Sequence, residues 1–256
     1  EILVLTASSG RSSKMTENGV GMFRINLSHT ALDVVEDTIG KIQSWTNVPL
    51  CLDSEGAQIR NQNMINESVF FNEGDTVRIH HELVVGDSGN ISFTPISVSR
   101  QFQVGDSIRV DFNAACFRIE EIEDQCLLAV VECAGQVGSN KAADINREVS
   151  LDAITLKDKE AFKIGLDMGV RDFSLSFTNT AEDVKAMRKI IGNESNLIAK
   201  IESVKGIVNL AEIVPLVDQI LIDRGDMSRQ VPIEKIPFMQ RKIISFAKST
   251  ETPVFV

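Results

Sequence analysis

The strongest constraint on this chain is an interrupted rhythm. Strand-like and helix-like segments alternate before residue 58 and after residue 148, whereas the stretch between them shows strand patterns alone. A parallel strand can only be followed by its neighbour through a crossover, usually a helix, so the alternating parts predict a parallel sheet covered by helices. The middle stretch cannot belong to that rhythm. Its short runs (E-G-D-T-V-R-I, V-G-D-S-I-R-V-D-F, F-R-I-E-E-I, C-L-L-A-V-V) are separated by Gly-Asp and Asn-rich turns, which predicts a small all-β module inserted after the third strand.

The alternating parts can be read element by element. Glu1–Thr6 is a short apolar run. Met22–Ser28 alternates cleanly, with Phe23, Ile25 and Leu27 on one side and Arg24, Asn26 and Ser28 on the other. Thr30 is placed to cap a helix over residues 31–45, in which Leu32, Val35, Ile39 and Ile42 share a face. Pro49–Asp53 is the next strand. Beyond Leu151, Thr155 with Asp158 forms a capping signature for a helix reaching Met168 and stopped by Gly169. A strand over 172–177, a helix from Thr180 to Ile191 ended by Gly192, a strand over 196–202 and a helix over 206–214 follow. Then come a strand over 217–223, a helix opened by Pro232, and the start of a strand at Pro253–Val256.

Composition removes several function classes. With 26 basic against 36 acidic residues the chain carries a formal charge of −10, and no basic cluster offsets it, so no nucleic-acid partner is expected. No apolar run approaches the roughly 18 residues that span a bilayer, and the first residues lack a basic flank or cleavage pattern. No membrane partner is expected, and the location is read as cytoplasmic. Four cysteines without a C-x-x-C pair and three histidines predict reduced thiols rather than a structural zinc site. His80 and His81 fall on opposite faces of their strand. Trp45 and Met22 are read as core packing, and Arg109 and Asp111 as a solvated strand end.

The informative residues sit at strand ends. In Leu197–Glu202 the aliphatic Leu197, Ala199 and Ile201 suit packing against helices, which turns Ile198, Lys200 and Glu202 to the opposite side. Burying an unpaired ammonium or carboxylate costs several kcal/mol, roughly, so such groups persist where they are paired, metal-bound or functional. Arg24, Asn26 and Ser28 repeat the arrangement on the second strand. Asp53 ends the third, Ser176 lies near the end of the fourth, and Asp226 falls just past the sixth. Polar groups at the carboxyl ends of successive strands describe the active face of a (β/α) barrel. Glu202 and Asp226 suit a hard divalent cation such as Mg²⁺, and Arg24, Arg60 and Lys200 suit phosphoryl or carboxylate groups.

Four ordered segments carry a family resemblance. M-F-R-I-N-L-S-H-T (residues 22–30) resembles the V-A-R-x-N-F-S-H-G of pyruvate kinases, and L-D-S-E-G-A-Q-I-R (52–60) resembles their L-D-T-K-G-P-E-I-R. L-I-A-K-I-E-S-V-K-G-I-V-N resembles I-x-K-I-E-N-x-x-G-V-x-N, and I-D-R-G-D-M-S-R-Q-V-P-I-E-K-I resembles V-A-R-G-D-L-G-V-E-I-P-x-E-K-V. The resemblance implies an α/β fold: a (β/α)8 TIM-type barrel, incomplete at the C-terminal end of this chain, with an inserted small all-β barrel. Residues 1–57 would form the first barrel part (strands 1–3), 58–148 the inserted lid (B) domain, and 149–256 the second barrel part (strands 4–7). It also implies Mg²⁺- (or Mn²⁺-) dependent phosphoryl transfer between a nucleotide and phosphoenolpyruvate, pyruvate or a related small keto or enol acid. By position, Glu202 and Asp226 would hold the cation. Lys200 and Arg24 would be catalytic. Arg24, Gly225, Asp226 and Ser176 would bind the small phosphate substrate, and Arg60, His29 and Asn26 the nucleotide. Asn26, Ser28, Asp53 and Ser54 would form a monovalent-cation (K⁺) site.

The sequence departs from that pattern at defined points. Glu55 and Ala57 stand where the family has Lys and Pro, and Gln58 where it has Glu or Lys. The opening motif is reduced to T-A-S-S-G (residues 6–10). Asp223 replaces a small residue, and Ser228, Arg229 and Gln230 replace Gly, Val and Glu. P-V-F-V resembles the start of the family's seventh strand, so the chain is read as a piece of a longer polypeptide, as one whose barrel another chain completes, or as a shortened paralogue; a homo-oligomer or completion by a following chain segment is expected. Two other readings stand beside phosphoryl transfer: a related domain that binds a ligand or partner without turnover, and a metal-dependent aldolase-like barrel, against which the β insertion argues.

Overall fold

The chain divides into two units, Glu1–Ala57 with Asp152–Val256, and Gln58–Leu151. The computed structural model describes residues 2–4, 19–112 and 114–256. In the first unit seven parallel strands lie side by side in chain order: β1 (Ile2–Val4), β2 (Met22–Asn26), β3 (Leu50–Asp53), β4 (Asp172–Leu175), β5 (Asn196–Ile201), β6 (Gln219–Ile222) and β7 (Val254–Phe255). Helix α1 (Val35–Trp45) follows β2, α2 (Leu156–Asp167) precedes β4, and α3 (Ala181–Ile191) links β4 to β5. Two short helices, α4 (Val204–Val208) and α5 (Leu210–Ile213), link β5 to β6. The link to β7 holds α6 (Arg224–Met227) and α7 (Ile236–Ser249).

Alternation along the strands builds the core. Phe23 and Ile25 on β2, Leu50 and Leu52 on β3, Phe173 and Leu175 on β4, Leu197, Ala199 and Ile201 on β5, and Ile220 and Ile222 on β6 join one apolar cluster. Val35, Ile39 and Ile42 of α1, Phe162 of α2, and Val184 and Met187 of α3 cover it. Residues in the opposite phase, such as Ser174, Ile198 and Lys200, are also buried but lie outside that cluster. Close approach needs one small residue: a Cβ on Gly165 of α2 would come within 2.5 Å of Leu52 Cδ1.

The local helix signals hold where side chains can reach the first turn. Thr155 and Thr180 each accept from the backbone three residues on, while Asp158 and Asp183 bond back to the cap, completing two capping boxes. Thr30 does not cap. Its hydroxyl donates to Asn26 O at 2.9 Å, and the chain enters α1 through a 3-10 turn, Leu32–Val34, without a side-chain cap. Expected elements are shorter or broken elsewhere. The strand over 172–177 stops at Leu175, because Phe177 turns to a positive φ of 49°. The helix over 206–214 is divided at Asn209, and the one opened by Pro232 begins as a 3-10 turn, Ile233–Lys235. Asp223 leaves the expected strand to serve as N-cap of α6. The T-A-S-S-G segment and Glu1, Leu5 and Thr6 of the first run lie outside the described residues.

The second unit is a closed seven-stranded barrel. Its strands run, in spatial order, Cys126–Cys133, Thr76–His80, Asn90–Thr94, Ile59–Asn61, Ala142–Ile145, Ser107–Val110 and Ala115–Ile122. A two-stranded ribbon, Ser68–Phe71 with Gly135–Gly138, accompanies it. Period-two alternation fills the interior with Val77, Ile79, Ile91, Phe93, Ile108, Val110, Phe117, Ile119, Leu127, Ala129 and Val131. Val149 and Leu151 pack against this core. His80 bonds Asn90 Oδ1 at 2.8 Å, and His81, just past the strand, bonds Ser99 Oγ at 2.9 Å.

Candidate active site

The carboxyl ends of β2 to β6 bring together a buried network of charges. Lys200, near the end of β5, points away from the helix-covered face. Its ammonium lies 3.2 Å from Asp53 Oδ2, 2.9 Å from Glu202 Oε1 and 3.0 Å from Ser176 Oγ. Asp53 ends β3 and is the hub. Ser174 Oγ donates to its Oδ1 at 2.7 Å, Ser176 Oγ donates to the same oxygen at 3.2 Å, and Arg24 Nη1 sits 3.3 Å from Oδ2. Burial alone would push the Lys200 pKa down, but Asp53 and Glu202 together outweigh it and hold the ammonium above its ordinary range. Lys200 is thus a fixed positive charge, held by carboxylates at the ends of β3 and β5, the two strands that flank β4.

Glu202 follows directly after β5 and is completely buried. Its Oε2 accepts from the Phe177 backbone N–H at 2.6 Å, and the positive φ of Phe177 belongs to the turn that aims that donor. Its Oε1 meets Lys200 as a close ion pair yet accepts no aligned hydrogen bond. Ligand oxygens of Glu202, Asp223 and Asp226 lie within 4.8 Å of one another. Asp223 Oδ1 accepts from the Gly225 and Asp226 backbone N–H groups, and Asp226 Oδ1 pairs with Arg229 at 3.1 Å. The Arg229 guanidinium stands 5.7 Å above the Phe177 ring. Burial pushes the Glu202 carboxyl up; Lys200 opposes this, and Asp226 and Asp223 add to it, leaving the pKa at about 7.

A second layer fixes the loop after β3. Asp158, completely buried at the start of α2, accepts from Glu55 N at 2.8 Å, Thr155 N at 3.0 Å and Gly56 N at 3.4 Å. Gly56 has φ +71°, and a Cβ there would stand 2.6 Å from Ser176 O, so only glycine lets the loop pass the end of β4 this closely. Glu55, where the resembling family carries lysine, pairs with Lys157 at 2.7 Å, and Lys157 also donates to Leu27 O. A salt bridge thus ties this loop to α2, which supplies the lysine.

Arg24, Asp53, Ser176, Lys200 and Glu202 of the expected set therefore form one connected network, and Asp226 joins it through the carboxylate cluster. Gly225 lies in the first turn of α6, its N–H on Asp223. The oxygens expected to hold a monovalent cation are already engaged: Asn26 Oδ1 accepts from Ser28 N, Ser54 Oγ accepts from Ser176 N, and both Asp53 oxygens are taken. His29 is exposed beside β2, its N–H on Asn26 O. Arg60 belongs to the other unit, on strand Ile59–Asn61, where its Nη1 donates to Asn140 O at 2.7 Å. Sequence reasoning missed Ser174 and Asp223 as members. Both carried a readable signal, since Ser174 is in phase with Ser176, and Asp223 precedes Asp226 by one helical turn.

An α/β unit of parallel strands, with a lysine, an arginine and acidic groups gathered at the strands' carboxyl ends, defines a protein of the (β/α) barrel class. The family model described as pyruvate kinase, barrel domain, matches residues 5–256. The pyruvate kinase of Thermotoga maritima is 30% identical over 252 residues, covering 95% of this chain and 54% of that protein. Those of Mycobacterium intracellulare (28% over 256 residues, 94% and 53%) and Clostridium acetobutylicum (30% over 224 residues, 84% and 47%) are similar to it as well. The chain belongs to the pyruvate kinase family, and it spans about half the length of the curated relatives it matches.

Proposed function

We propose that this chain carries the catalytic centre of a Mg²⁺- or Mn²⁺-dependent phosphotransferase that moves a phosphoryl group between a nucleotide and phosphoenolpyruvate, pyruvate or a related small keto or enol acid. The observation that carries this reading is Glu202. A completely buried carboxylate, with its ligand oxygen within 4.8 Å of those of two further carboxylates, suits a hard divalent cation that takes a few protein oxygens and leaves its remaining positions to substrate. Glu202 and Asp226 would hold it, and it would supply Lewis-acid polarisation of substrate oxygens. Lys200 offers its charge to the transferring phosphoryl group and to a developing enolate. Arg24 Nε, buried and without a hydrogen-bond partner, is a free donor for the same anion. Ser176 and Gly225 would line the substrate pocket, and His29 and Asn26 would face the nucleotide in a cytoplasmic enzyme. Of the K⁺ set Asn26, Ser28, Asp53 and Ser54, the oxygens of Asn26, Asp53 and Ser54 already accept protein hydrogen bonds, and no step is assigned to a K⁺.

The test has two arms. Mg²⁺ should raise the melting temperature of the wild-type chain, and the Glu202→Gln/Asp226→Asn variant should lose that response; equal melting with and without metal sinks the cation site. Pyruvate release from phosphoenolpyruvate plus ADP should depend on the same metal. Metal binding without product would shift the reading to a domain that binds ligand without turnover.

A further inference from the structure

Two of the four cysteines face each other in the inserted barrel. Cys116 lies on strand Ala115–Ile122, Cys133 ends strand Cys126–Cys133, and the antiparallel register sets them directly opposite. Simple alternation would hide Cys133, because Leu127, Ala129 and Val131 of its strand all point into the core. The register shifts instead between Val131 and Cys133: Val131 stands opposite Phe117, and Cys133 opposite Cys116, so Glu132 is an extra residue on its strand. The bulge turns Cys133 to the face that Cys116 shares. Both are free thiols, Cys133 exposed and Cys116 at the edge of burial with 7% of its surface accessible.

Opposed residues of an antiparallel pair place their Cα atoms about 4.5–5.5 Å apart, inside the roughly 4.4–6.8 Å that a disulfide spans. The other cysteines have no such neighbour. Cys126 stands opposite His80 and donates to Glu123 Oε2 at 3.2 Å, and Cys51 is buried in β3 with its sulfur 3.6 Å from Ser174 Oγ.

We propose that Cys116 and Cys133 form a reversible cross-strand disulfide when the protein meets a low-molecular-weight disulfide, making this face of the inserted barrel a thiol-modification site. The Cys133 thiolate attacks one sulfur of the oxidant, whose sulfur–sulfur bond breaks and releases one thiol. The Cys116 sulfur, after losing its proton, then attacks Cys133 and displaces the second thiol. Two protein thiols are oxidised, one small disulfide is reduced to two thiols, and the protons balance. Cys133 is exposed and Cys116 is not, and burial pushes the Cys116 thiol up to about 11, so Cys133 reacts first. The product would tie the two strands at the point where the bulge breaks their ladder.

Glutathione disulfide is the probe, added to the intact chain and followed by thiol titration, intact mass and peptide mapping. The expected result is loss of two of the four thiols, a mass lower by two hydrogens, and one cross-linked peptide pair containing Cys116 and Cys133. Cys116→Ser should instead hold a stable glutathione adduct at Cys133, and Cys133→Ser should keep Cys116 unmodified over the same time. A wild-type protein that keeps four thiols overturns the proposal. So does one that accumulates the same lasting adduct as Cys116→Ser, or a cross-link through Cys51 or Cys126. If a serine variant misfolds, as seen by circular dichroism, the wild-type mass and peptide map decide alone.

Discussion

The two units solve the interior of a β-structure in opposite ways. The inserted barrel fills its centre with aromatic and branched side chains, including Phe71 and Phe117, whose rings meet edge-to-face at 5.0 Å. Several of its buried polar groups close on protein partners: Asp106 on Arg147 at 2.8 Å, His81 on Ser99, Asn61 on Gly138 O. The parallel unit gives one end of its strands to Asp53, Ser174, Ser176, Lys200 and Glu202, all nearly inaccessible to solvent. That end leaves Glu202 Oε1 and Arg24 Nε without a hydrogen bond. Buried ion pairs contribute little net stability compared with apolar packing of similar volume. Such an arrangement therefore points to work done on a ligand, whereas the barrel's interior explains itself by packing.

The largest expected effects test that contrast directly. Phe117→Ala should cost the inserted barrel about 3–5 kcal/mol by opening a cavity beside Phe71. Lys200→Met should cost the parallel unit a similar amount, about 3–5 kcal/mol, because it strands Glu202 and takes one cation from Asp53. Urea unfolding measures both. The loss at Lys200 should be largely recovered by adding Glu202→Gln, since neutralising the partner removes the stranded charge, while no change of charge can refill the space left at Phe117. A Lys200→Met loss below about 1 kcal/mol, on the scale of exposed ion pairs, would contradict the picture of a tightly interlocked charge cluster.

Glu202 supplies a smaller effect with a definite sign. Its carboxyl titrates at about 7 in the folded chain, against an ordinary 4.5. Between those values the folded state holds a proton that the unfolded state has released, so stability falls as pH rises through this window and levels off above it. The change should be on the order of 1–3 kcal/mol, read from urea midpoints between pH 5 and 8 in the presence of a chelator. Glu202→Gln should flatten the slope, and saturating Mg²⁺ should do the same by favouring the ionised carboxylate. Asp158, also raised by burial, acts in the same direction from a lower starting value. Stability that rises with pH across the window would exclude the assigned environment of Glu202.

The same contrast explains what could be read from the residues in advance. Alternation showed which side of β5 faces the helices, because Leu197, Ala199 and Ile201 leave Lys200 no place in an apolar layer. It also separated a helix-bearing part from one in which no α-helix occurs among the described residues of 58–151. Contacts between residues distant in the chain had no local signal. The pairing of Glu55 with Lys157 joins positions 102 apart, and only the substitution at Glu55 hinted that something had changed there. The break of the 206–214 helix at Asn209 was equally silent, because its apolar spacing continues across the break while Asn209 Nδ2 donates to Asn179 O. Strand ends were overextended wherever a loop residue was drawn into the site, as with Phe177 and Asp223.

The smallest effect bears on how the two units hold their local structure. Thr180 accepts from Asp183 N at 3.2 Å and anchors α3, whose Val184, Met187 and Ile191 cover the sheet. Thr180→Ala should cost the parallel unit about 1 kcal/mol, the usual value of a lost N-cap, with no loss of metal response, because the cap lies outside the charge network. In the inserted barrel the longest helical segment, the 3-10 turn Ile96–Gln101, has no side-chain cap, so an alanine at Pro95, its N-cap position, removes no capping bond. Hydrogen exchange on α3 amides is the sharper measurement, since the loss should concentrate in the first turn. Equal loosening across β4 and β5 would mean that the cap and the charged strand ends are coupled, and that the parallel unit's helices and its site are less separable than the packing implies.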